Sequence, residues 1–394
     1  MPQYRSVFKD ETKLDIAYVP NRLPHREREQ RLLMEFFSFI LRAPEKMAQR
    51  VIITGDIGTG KTALSQRFGT DMMQEAKKLG INLRYVHVNC REYRGSLFLV
   101  LHHIISISHP HFPKRGYSPE ELLRMLFQDL DSEGAYVILA LDEFESLIER
   151  EGSEAVYQLT RLQETRQDKP QKISLICIMR NLKAIEQLDA STRSTLQSNI
   201  IRLGNYSKQQ LTDILNDRVT LSFKPLAVIE ETVSLIAELA HSEDGSARFG
   251  IELLWRAGKY ADAEDLDAVT PECVRKAASS IVPTMRKADL ASLNLHEKLL
   301  LLAITRLFKE NQKAYVSLAE AKRAYAVACE EFGLNAHSHT QLWKHLQTFS
   351  SVGIVKTEVS NVASGGRSTL IYLPRIPAAE LEKELNVLLT KEKT

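Results

Sequence analysis

The fold is decided by RVIITGDIGTGKT, from Arg50 to Thr62. The first five residues form a continuous apolar run, typical of a strand that is buried on both faces of a parallel sheet. GDIGTGKT, from Gly55 to Thr62, then fits the pattern G-x-x-x-x-G-K-[ST] at every position. This pattern forms a loop between a strand and a helix, and its backbone N–H groups surround phosphates. The stretch therefore predicts an α/β domain with a phosphate-binding loop.

Three more apolar runs of the same kind follow along the chain. They are LRYVHVN (Leu83–Asn89), YVILALD (Tyr136–Asp142) and ISLICIM (Ile173–Met179). Helical patterns separate these runs, and strands that alternate with helices are typical of a doubly wound parallel sheet.

The segment after the predicted sheet has only helical patterns, from Ser207 to about Val282. Ser207 and Gln210 have the spacing of a capping box, which marks the beginning of a helix. Thr270 before Pro271 indicates another helix start, because a proline at the first helical position sacrifices no hydrogen bond. We expect this segment to form a helical lid.

The C-terminal part changes from helices to strands. Helical patterns from Asn294 onward precede IVKTEVS (Ile354–Ser360) and STLIYLP (Ser368–Pro374), which Gly365 and Gly366 would join as a hairpin turn. Helices followed by a β-hairpin outline a winged helix, a variant of the helix-turn-helix. The predicted domains are therefore 1–204 (nucleotide-binding α/β domain), 205–289 (lid) and 290–394 (winged helix).

Composition limits the class of protein. The chain has 394 residues, of which 44% are hydrophobic and 26% charged, as in ordinary globular domains. A net charge of +2 is too small to attract DNA by itself, so a DNA site has to be a local patch. The four scattered cysteines indicate neither a disulfide framework nor a zinc site, and no apolar run is long enough to predict a membrane span.

The phosphate loop and the end of the third run supply the groups that a nucleotide needs. Lys61 would bridge the β- and γ-phosphates of ATP, and Thr62 and Asp142 would hold Mg²⁺. Glu143 would orient or deprotonate the attacking water, which predicts ATP hydrolysis. The residues expected to contact ATP or ADP are Gly55, Asp56, Ile57, Gly58, Thr59, Gly60, Lys61 and Thr62.

Two arginines are candidates for contact with the terminal phosphate. Arg248, in GSARFGIELL, is placed at the start of a lid helix, from which an arginine can reach the γ-phosphate. Arg193, in LDASTRSTL, follows the fourth run, where an arginine can act on the nucleotide of a neighbouring subunit. From the residues alone, the simpler interpretation of each is a solvated surface arginine.

The C-terminal segment has a local positive charge. Between Ser338 and Arg375, four Lys and Arg residues stand against one Glu, a net charge of +3. Ser338–Gly353 is predicted to be the recognition helix, and Arg367 at the hairpin tip suits a narrow groove. A winged helix that contacts protein is the alternative. The polar helix residues that could contact bases or phosphates are His339, Gln341, Lys344 and His345.

An ordered set of motifs covers nearly the whole chain: VPNRLPHREREQRLL (Val19–Leu33), the phosphate loop, LALDEFE, HPHFPKRGYSPEEL (His109–Leu122), GSARFGIELLWRAG (Gly245–Gly258) and LNLHEKLLLLAI (Leu293–Ile304). In this order the set resembles the archaeal Orc/Cdc-type (origin recognition and cell division control) replication initiators, within the AAA+ ATPases. The motifs resemble that family's opening box, Walker A and B motifs, initiator-specific insertion, sensor-2 helix and winged-helix start.

The resemblance implies a replication initiator in the cytoplasm, at the nucleoid and not at a membrane. It implies weak ATP hydrolysis, with ATP and ADP as a conformational switch, and recruitment of a helicase as the output. It implies origin duplex DNA as partner, bound by the winged helix and by Lys114 and Arg115 in the insertion. A replicative helicase and paralogous initiators are the other implied partners, and Arg248 takes the sensor-2 position.

Two motifs depart from the family pattern. The family has S-N-D-L after the fourth strand, with the asparagine as sensor 1; here Arg180 stands at that position and Asn181 follows it. Where the family has D-P-R-V-K-S-S-L, this chain has Ser191 in place of the usual arginine, which leaves only Arg193. Two other functions therefore stay open: an ATP-binding transcription regulator, and a transposition- or signalling-type ATPase whose winged helix contacts protein.

Overall fold

The computed structural model describes residues 6–44, 46–161, 170–196, 199–281, 290–311, 313–362 and 366–393. The chain forms two compact units. The first unit contains Val19–Gln210 and Asp244–Arg248, and the second contains Met1–Tyr18, Leu211–Glu243 and Phe249–Thr394. No helix within the described ranges combines the length and the apolar character that a membrane crossing requires.

The first unit is built on a parallel sheet with strand order β2-β3-β4-β1-β5. The strands are β1 (Arg50–Thr54), β2 (Leu83–Asn89), β3 (Tyr136–Asp142), β4 (Ile173–Met179) and β5 (Ile200–Arg202). The first four strands have the bounds that their apolar runs predicted. The fifth strand was missed because its three residues are too few to show a pattern.

Both faces of the sheet are covered, as the continuous apolar runs predicted. Every residue of β3 and β4 is buried, whereas β2 is half-buried because it forms an edge of the sheet. Side chains alternate between two cores: Ile176 and Ile178 pack with helices α1 and α2, and Leu175 and Cys177 pack with α3, α4 and α5. The helices of this unit are α1 (Glu27–Arg42), α2 (Lys61–Lys78), α3 (Leu97–Ser108), α4 (Pro119–Ser132), α5 (Glu145–Arg161), α6 (Lys183–Glu186) and α7 (Ala190–Leu196).

The helices that follow begin at the predicted signals. Ser207 N–H donates to Gln210 Oε1 (3.0 Å), and Gln210 N–H donates to Ser207 Oγ (3.3 Å), which confirms the capping box. Pro271 is the first residue of its helix, as predicted. The helices are α8 (Lys208–Ser222), α9 (Glu230–Ser242), α10 (Ala247–Ala263) and α11 (Pro271–Ile281).

The C-terminal region is a winged helix with an antiparallel sheet of order β6-β8-β7. The predicted helices and hairpin are present, so the predicted fold class is confirmed. The short strand β6 and the last helix, whose leucines complete this core, were missed. The elements are α12 (Leu295–Asn311), β6 (Tyr315–Ser317), α13 (Leu318–Glu331), α14 (His339–Ser351), β7 (Lys356–Val362), β8 (Gly366–Tyr372) and α15 (Ala378–Lys393).

The hairpin strands differ from the predicted runs by two residues at each end. Ile354 and Val355 are buried but precede β7, because their N–H groups bond back to the carbonyl of Phe349 at the end of α14. Gly366, predicted as part of the turn, is instead the first residue of β8. Gly365, the other glycine of the predicted turn, lies outside the described residues.

Candidate functional site

GDIGTGKT forms the predicted loop between β1 and α2. Gly58 and Gly60 have φ angles of +83° and +89°, in the left-handed region that favours glycine. A Cβ atom at Gly58 would lie 2.0 Å from Ser246 Oγ, so a larger residue would displace its neighbour. The loop conformation therefore depends on glycine at these positions.

Lys61 is the first residue of α2, and its ammonium group lies against the loop. Lys61 Nζ donates to the carbonyl oxygens of Gly55 (2.6 Å) and Asp56 (2.8 Å). Burial lowers the pKa of Lys61, against the opposing effect of the carboxylates of Asp142 and Glu145. The lysine is thus held at the loop by carbonyl oxygens, contacts that it can exchange for phosphate oxygens.

Thr62, in the first turn of α2, contacts Asp142 at the carboxyl end of β3. Thr62 Oγ1 donates to Asp142 Oδ2 at 2.6 Å, and His87 Nε2 lies 3.3 Å from the same oxygen. Burial alone would raise the pKa of Asp142, but the bonds from His87 and Thr62 outweigh it, so the pKa is lowered. An ionised carboxylate beside a hydroxyl is a donor set that fits Mg²⁺, which usually takes few protein oxygens and completes its shell with phosphates and water.

Glu143 follows in a strained turn. Its φ of +49° is in the left-handed region, which for a residue other than glycine costs about 1–3 kcal/mol and is found preferentially at functional sites. Its N–H donates to Asp142 Oδ1 (2.9 Å), and its side chain is 41% exposed, with Oε2 lying 3.5 Å from Arg91. The carboxylate is therefore accessible to water.

The start of α10 also lies at the loop. Ala247 N–H donates to the carbonyl oxygen of Gly58 (3.1 Å), and Ser246 is the residue that a Cβ at Gly58 would meet. Arg248 is the next residue along α10 and is exposed. The structure thus brings the predicted lid arginine close to the phosphate loop.

The two remaining candidates for nucleotide contact lie in different settings. Asn181 Oδ1 accepts a hydrogen bond from Lys183 N–H (3.0 Å), so its side chain supports the start of α6. Arg193 lies half-buried in α7, and its side chain makes no hydrogen bond or ion pair with another described residue. The residue after β4 that bonds to the loop is Arg180, whose carbonyl accepts from Gly55 N–H (3.2 Å).

Lys114 and Arg115 lie at the exposed tip of the insertion, between α3 and α4. Aromatic contacts hold the loop below them: Phe112 stacks on Tyr117 with ring centroids 5.1 Å apart, and His102 Nε2 lies 3.1 Å from the carbonyl oxygen of Pro113. Because the hydrophobic side chains anchor the loop, the two cations are presented to solvent.

The predicted recognition helix is α14. His339, Gln341 and Lys344 lie on its exposed side. His345 is apart from them, because it is only 12% exposed and contacts Glu297 Oε1 (3.3 Å) and His337 Nδ1 (3.2 Å). It is therefore poorly placed to reach a DNA groove. The side chain of Arg367 lies outside the described residues.

Ion pairs in the fold neutralise part of the charge of +3 that was counted along the C-terminal stretch. Lys356 forms an ion pair with Glu238, and Arg375 forms one with Glu243. These partners belong to the α9 segment, far away in sequence, so counting charges along the C-terminal stretch could not include them. Lys344, with no ion pair to a described residue, contributes its charge to the exposed side of α14.

A cavity of about 400 Å³ lies beside the turn that leads into α14. Lys322 and Arg323 on α13 are exposed, and neither forms an ion pair with another described residue. Three of the lining residues are alanines, whose small side chains leave room for an anionic group beside the cations. The lining residues are Ala319, Lys322, Arg323, Tyr325, Ala326, Ala336 and His337.

Three stretches of the chain match the models of known domains. Residues 45–188 match an AAA domain, residues 212–279 match a Cdc6 AAA+ ATPase-type lid domain, and residues 288–383 match the C-terminal winged helix domain of CDC6. ORC1-type DNA replication protein 2 from Sulfurisphaera tokodaii is 31% identical over 388 residues, which are 97% of this chain and 93% of that protein. The chain belongs to the family of ORC1-type DNA replication proteins. This confirms the family that the ordered motifs indicated.

Solved structures of ORC1-type and Cdc6 proteins have the same fold. Cdc6p from Pyrobaculum aerophilum is 29% identical with a TM-score of 0.84, and the match covers 98% of this chain and 100% of that one. The ORC1 protein of Aeropyrum pernix in complex with DNA is 28% identical with a TM-score of 0.64, covering 98% of this chain and 97% of that one.

One buried residue of this ORC1-type chain was missed in the sequence. Arg26 is 5% exposed, and it donates to the carbonyl oxygens of Thr59 (3.0 Å) and Gly204 (2.7 Å). Its guanidinium lies 4.0 Å from the ring centre of Tyr206. Arg26 thus fixes a carbonyl of the phosphate loop. Its stretch contains several arginines, and nothing in the sequence shows which one is buried.

Proposed function

We propose that this chain is an ATP-dependent replication initiator that binds origin duplex DNA. The observation that carries the proposal is the 2.6 Å contact between Thr62 Oγ1 and Asp142 Oδ2 beside a glycine-dependent phosphate loop. The names of the relatives and the DNA complex of the Aeropyrum pernix protein support the DNA part. The combination favours a nucleotide switch in a DNA-binding protein.

In the proposed nucleotide site, the loop residues 55–62 bind the phosphates of ATP or ADP. Lys61 exchanges its two carbonyl contacts for β- and γ-phosphate oxygens, and Thr62 and Asp142 hold Mg²⁺, which neutralises phosphate charge. Glu143 orients the attacking water. Hydrolysis is weak and serves as a switch rather than as a motor.

Arg248 is the proposed link between nucleotide and lid. Helix α10 begins in the first unit and continues in the second, with the division directly after Arg248. If Arg248 binds the γ-phosphate, it holds the first turn of α10 at the nucleotide. The remainder of α10 belongs to the lid. Loss of the γ-phosphate removes that contact, so the nucleotide state is communicated through a continuous helix. In this scheme residues 1–204 bind the nucleotide, 205–289 form the lid and 290–394 bind DNA.

The proposed DNA surface is the exposed side of α14 together with the cations of α13. His339, Gln341 and Lys344 would enter a groove, while Lys322 and Arg323 would neutralise phosphates. Arg367 in the hairpin and the insertion residues Lys114 and Arg115 are further proposed contacts. A replicative helicase and paralogous initiators are the proposed protein partners. Arg193 is proposed to act on the nucleotide of a neighbouring subunit, and Asn181 is proposed to contact the nucleotide.

The experiment that tests the function is genome-wide mapping of DNA bound by the full-length protein, compared with mapped replication starts in the same cells. We expect enrichment at the replication starts, and its reduction in a Lys61→Ala strain. Enrichment at promoters alone would instead favour the transcription regulator. Absence of any specific DNA would favour the ATPase whose winged helix contacts protein.

A further inference from the structure

We propose that His296, His337 and His345 form a proton-sensitive switch that loosens the first turns of helix α14 in mild acid. The three side chains come from different elements of the winged helix. His296 lies in the first turn of α12, His337 in the turn before α14, and His345 in α14 itself. The ring of His337 stacks on both others, with centroids 3.6 Å from His296 and 5.5 Å from His345. The three rings therefore join α14 to the rest of the domain.

A chain of hydrogen bonds runs from a carboxylate through two of these rings. His345 Nδ1 lies 3.3 Å from Glu297 Oε1, and His345 Nε2 lies 3.2 Å from His337 Nδ1. Because an ionised carboxylate only accepts, the proton of a neutral His345 is on Nδ1, and Nε2 is then an acceptor. The bond between the two rings uses the proton on His337 Nδ1. The neutral pair is thus fully hydrogen-bonded.

This arrangement accepts one added proton but not two. With one proton, His345 is an imidazolium that donates to Glu297 and to His337 Nδ1, while the proton of His337 is on Nε2. A second proton gives both facing nitrogens an N–H group, so that two donors meet at 3.2 Å with no acceptor between them. The rings of His337 and His345 then have to separate.

The third ring makes a second charge still less favourable. His296 Nδ1 lies 2.8 Å from Tyr325 Oη, and burial raises the pKa of Tyr325, so that this hydroxyl keeps its proton. Burial lowers the pKa of His296, and the neighbouring His337 and His345 lower it further. His296 is therefore held neutral, stacked on the ring that the second proton would charge.

The surrounding charges act in the same direction. Glu297 compensates one positive charge, whereas Lys322 and Arg323 line the same cavity as His337 and oppose a further one. Burial raises the pKa of Cys329, so this thiol adds no negative charge. The charged and titratable groups on the helices around the rings are Glu297 of α12, Lys322, Arg323, Tyr325 and Cys329 of α13, and His339 and Lys344 of α14.

Separation of the rings affects the turn that leads into α14. The N–H of His337 donates to Tyr325 Oη (3.4 Å), so both the main chain and the side chain of this residue fix the turn. The closed cluster stabilises the turn above about pH 6.5, the usual pKa of histidine. This stabilisation is lost as the pH falls, because the open state binds protons that the closed cluster excludes.

The test follows Trp343, which lies in α14 and packs against the core of the winged helix. Trp255 is the other tryptophan of the chain, so full-length Trp255→Phe protein reports on Trp343 alone. The emission maximum is measured from pH 8 to about pH 5, because charged imidazoles also quench intensity. We expect a reversible shift to longer wavelength with a midpoint near pH 6, where histidines titrate.

His337→Asn, on the same background, removes the second proton site. The amide oxygen of asparagine takes the place of Nδ1 and still accepts from His345, so the variant should fold. We expect its midpoint to lie at least about one pH unit lower, and that of His296→Asn to move in the same direction. His111→Asn, at an exposed position of the insertion, is the control and should keep the midpoint of the parent protein.

An equal midpoint in the parent protein and in both cluster variants would overturn the switch, since acid would then act elsewhere. A parent protein without any shift down to about pH 5 would overturn it too. Because α14 is the proposed DNA-reading helix, acid should also weaken binding of labelled duplex DNA more in the parent protein than in His337→Asn, a consequence that rests on the proposed function. Absence of DNA binding at pH 7.5 would overturn that function, while the emission of Trp343 would still decide on the switch.

Discussion

Arg275 Nε, in the last described helix of the lid, donates a 2.8 Å hydrogen bond to the carbonyl oxygen of Leu373, directly after strand β8 of the winged helix. Its other nitrogens donate to the carbonyl oxygen of Lys313 (2.7 Å) and to Glu272 Oε2 (3.1 Å). The side chain is 0% exposed, and its guanidinium lies 4.6 Å from the ring centre of Phe308. One buried arginine thus joins lid and winged helix within the second unit.

The first prediction is that Arg275→Met strongly destabilises the second unit. Methionine has a similar length but removes the donor to the carbonyl oxygens of Leu373 and Lys313 and to Glu272 Oε2. We expect the free energy of unfolding to fall by about 3–5 kcal/mol, as for other buried ion pairs that lose one partner. Urea denaturation followed by circular dichroism measures this change.

Arg256→Met is the matched control, because Arg256 is 38% exposed and pairs with Glu252 one helical turn away. Such a pair contributes about 0–1 kcal/mol, so the variant should unfold close to wild type. Equal midpoints for Arg275→Met and Arg256→Met would show that the buried contacts do not hold lid and winged helix together.

The second prediction is that Lys61→Ala weakens ATP binding about 10- to 100-fold, since the proposed charge-assisted contact between the half-buried lysine and the phosphates is lost. Lys78→Ala is the control: Lys78 belongs to the same helix, but its side chain is 69% exposed and pairs with Glu75. Equilibrium dialysis with labelled ATP measures both variants. If the two variants bind ATP equally well, the assignment of the phosphate loop is wrong.

The sequence was sufficient to predict the strands that are defined by a continuous apolar run. The apolar runs of β1, β2, β3 and β4 were found at their observed bounds, because a strand buried on both faces has to be apolar throughout. The hairpin was displaced by two residues, because Ile354 and Val355 are apolar for a different reason: they are buried in the turn after α14.

The phosphate loop could be found in the sequence because its chemistry is local, but its support could not. Arg26 stabilises the carbonyl of Thr59 across 33 positions, and Lys356 is neutralised by Glu238 across 118 positions. Contacts between distant residues leave no periodic signal in a single sequence. For the same reason, nothing in the order of residues showed that His345 would turn toward Glu297 and away from the exposed side of α14.

The third prediction concerns hydrolysis. Glu143→Gln should leave the Kd for ATP within about twofold and reduce turnover at least about 100-fold, because the carboxylate acts on the attacking water and not on the bound phosphates. Single-turnover hydrolysis of labelled ATP measures the effect. Glu149→Gln, at an exposed position of α5, is the control and should hydrolyse ATP like wild type. Unchanged turnover in Glu143→Gln would mean that another group serves the water.

The last prediction concerns the cavity beside α14 and the DNA backbone. Lys322→Gln and Arg323→Gln each remove one charge from its wall without changing the length of the side chain greatly. If each cation neutralises one phosphate, the slope of log Kd against log salt should become shallower by about one unit in each variant, and by about two units in the double variant. Fluorescence anisotropy of the full-length protein with labelled duplex DNA, titrated with salt, measures these slopes.

Lys383→Gln removes one exposed charge from α15, on another helix of the winged helix, and should leave the slope unchanged. The comparison separates a contact with phosphates from a general effect of net charge, because all three single variants change the net charge by one. Should Lys383→Gln reduce the slope as much as Lys322→Gln and Arg323→Gln do, the cavity is not a phosphate contact.

Lys344→Gln provides the comparison for the recognition helix. Because the proposed contact of Lys344 is in the groove, its loss should also alter the preference among DNA sequences. Loss of the cavity cations should instead weaken binding to all sequences alike.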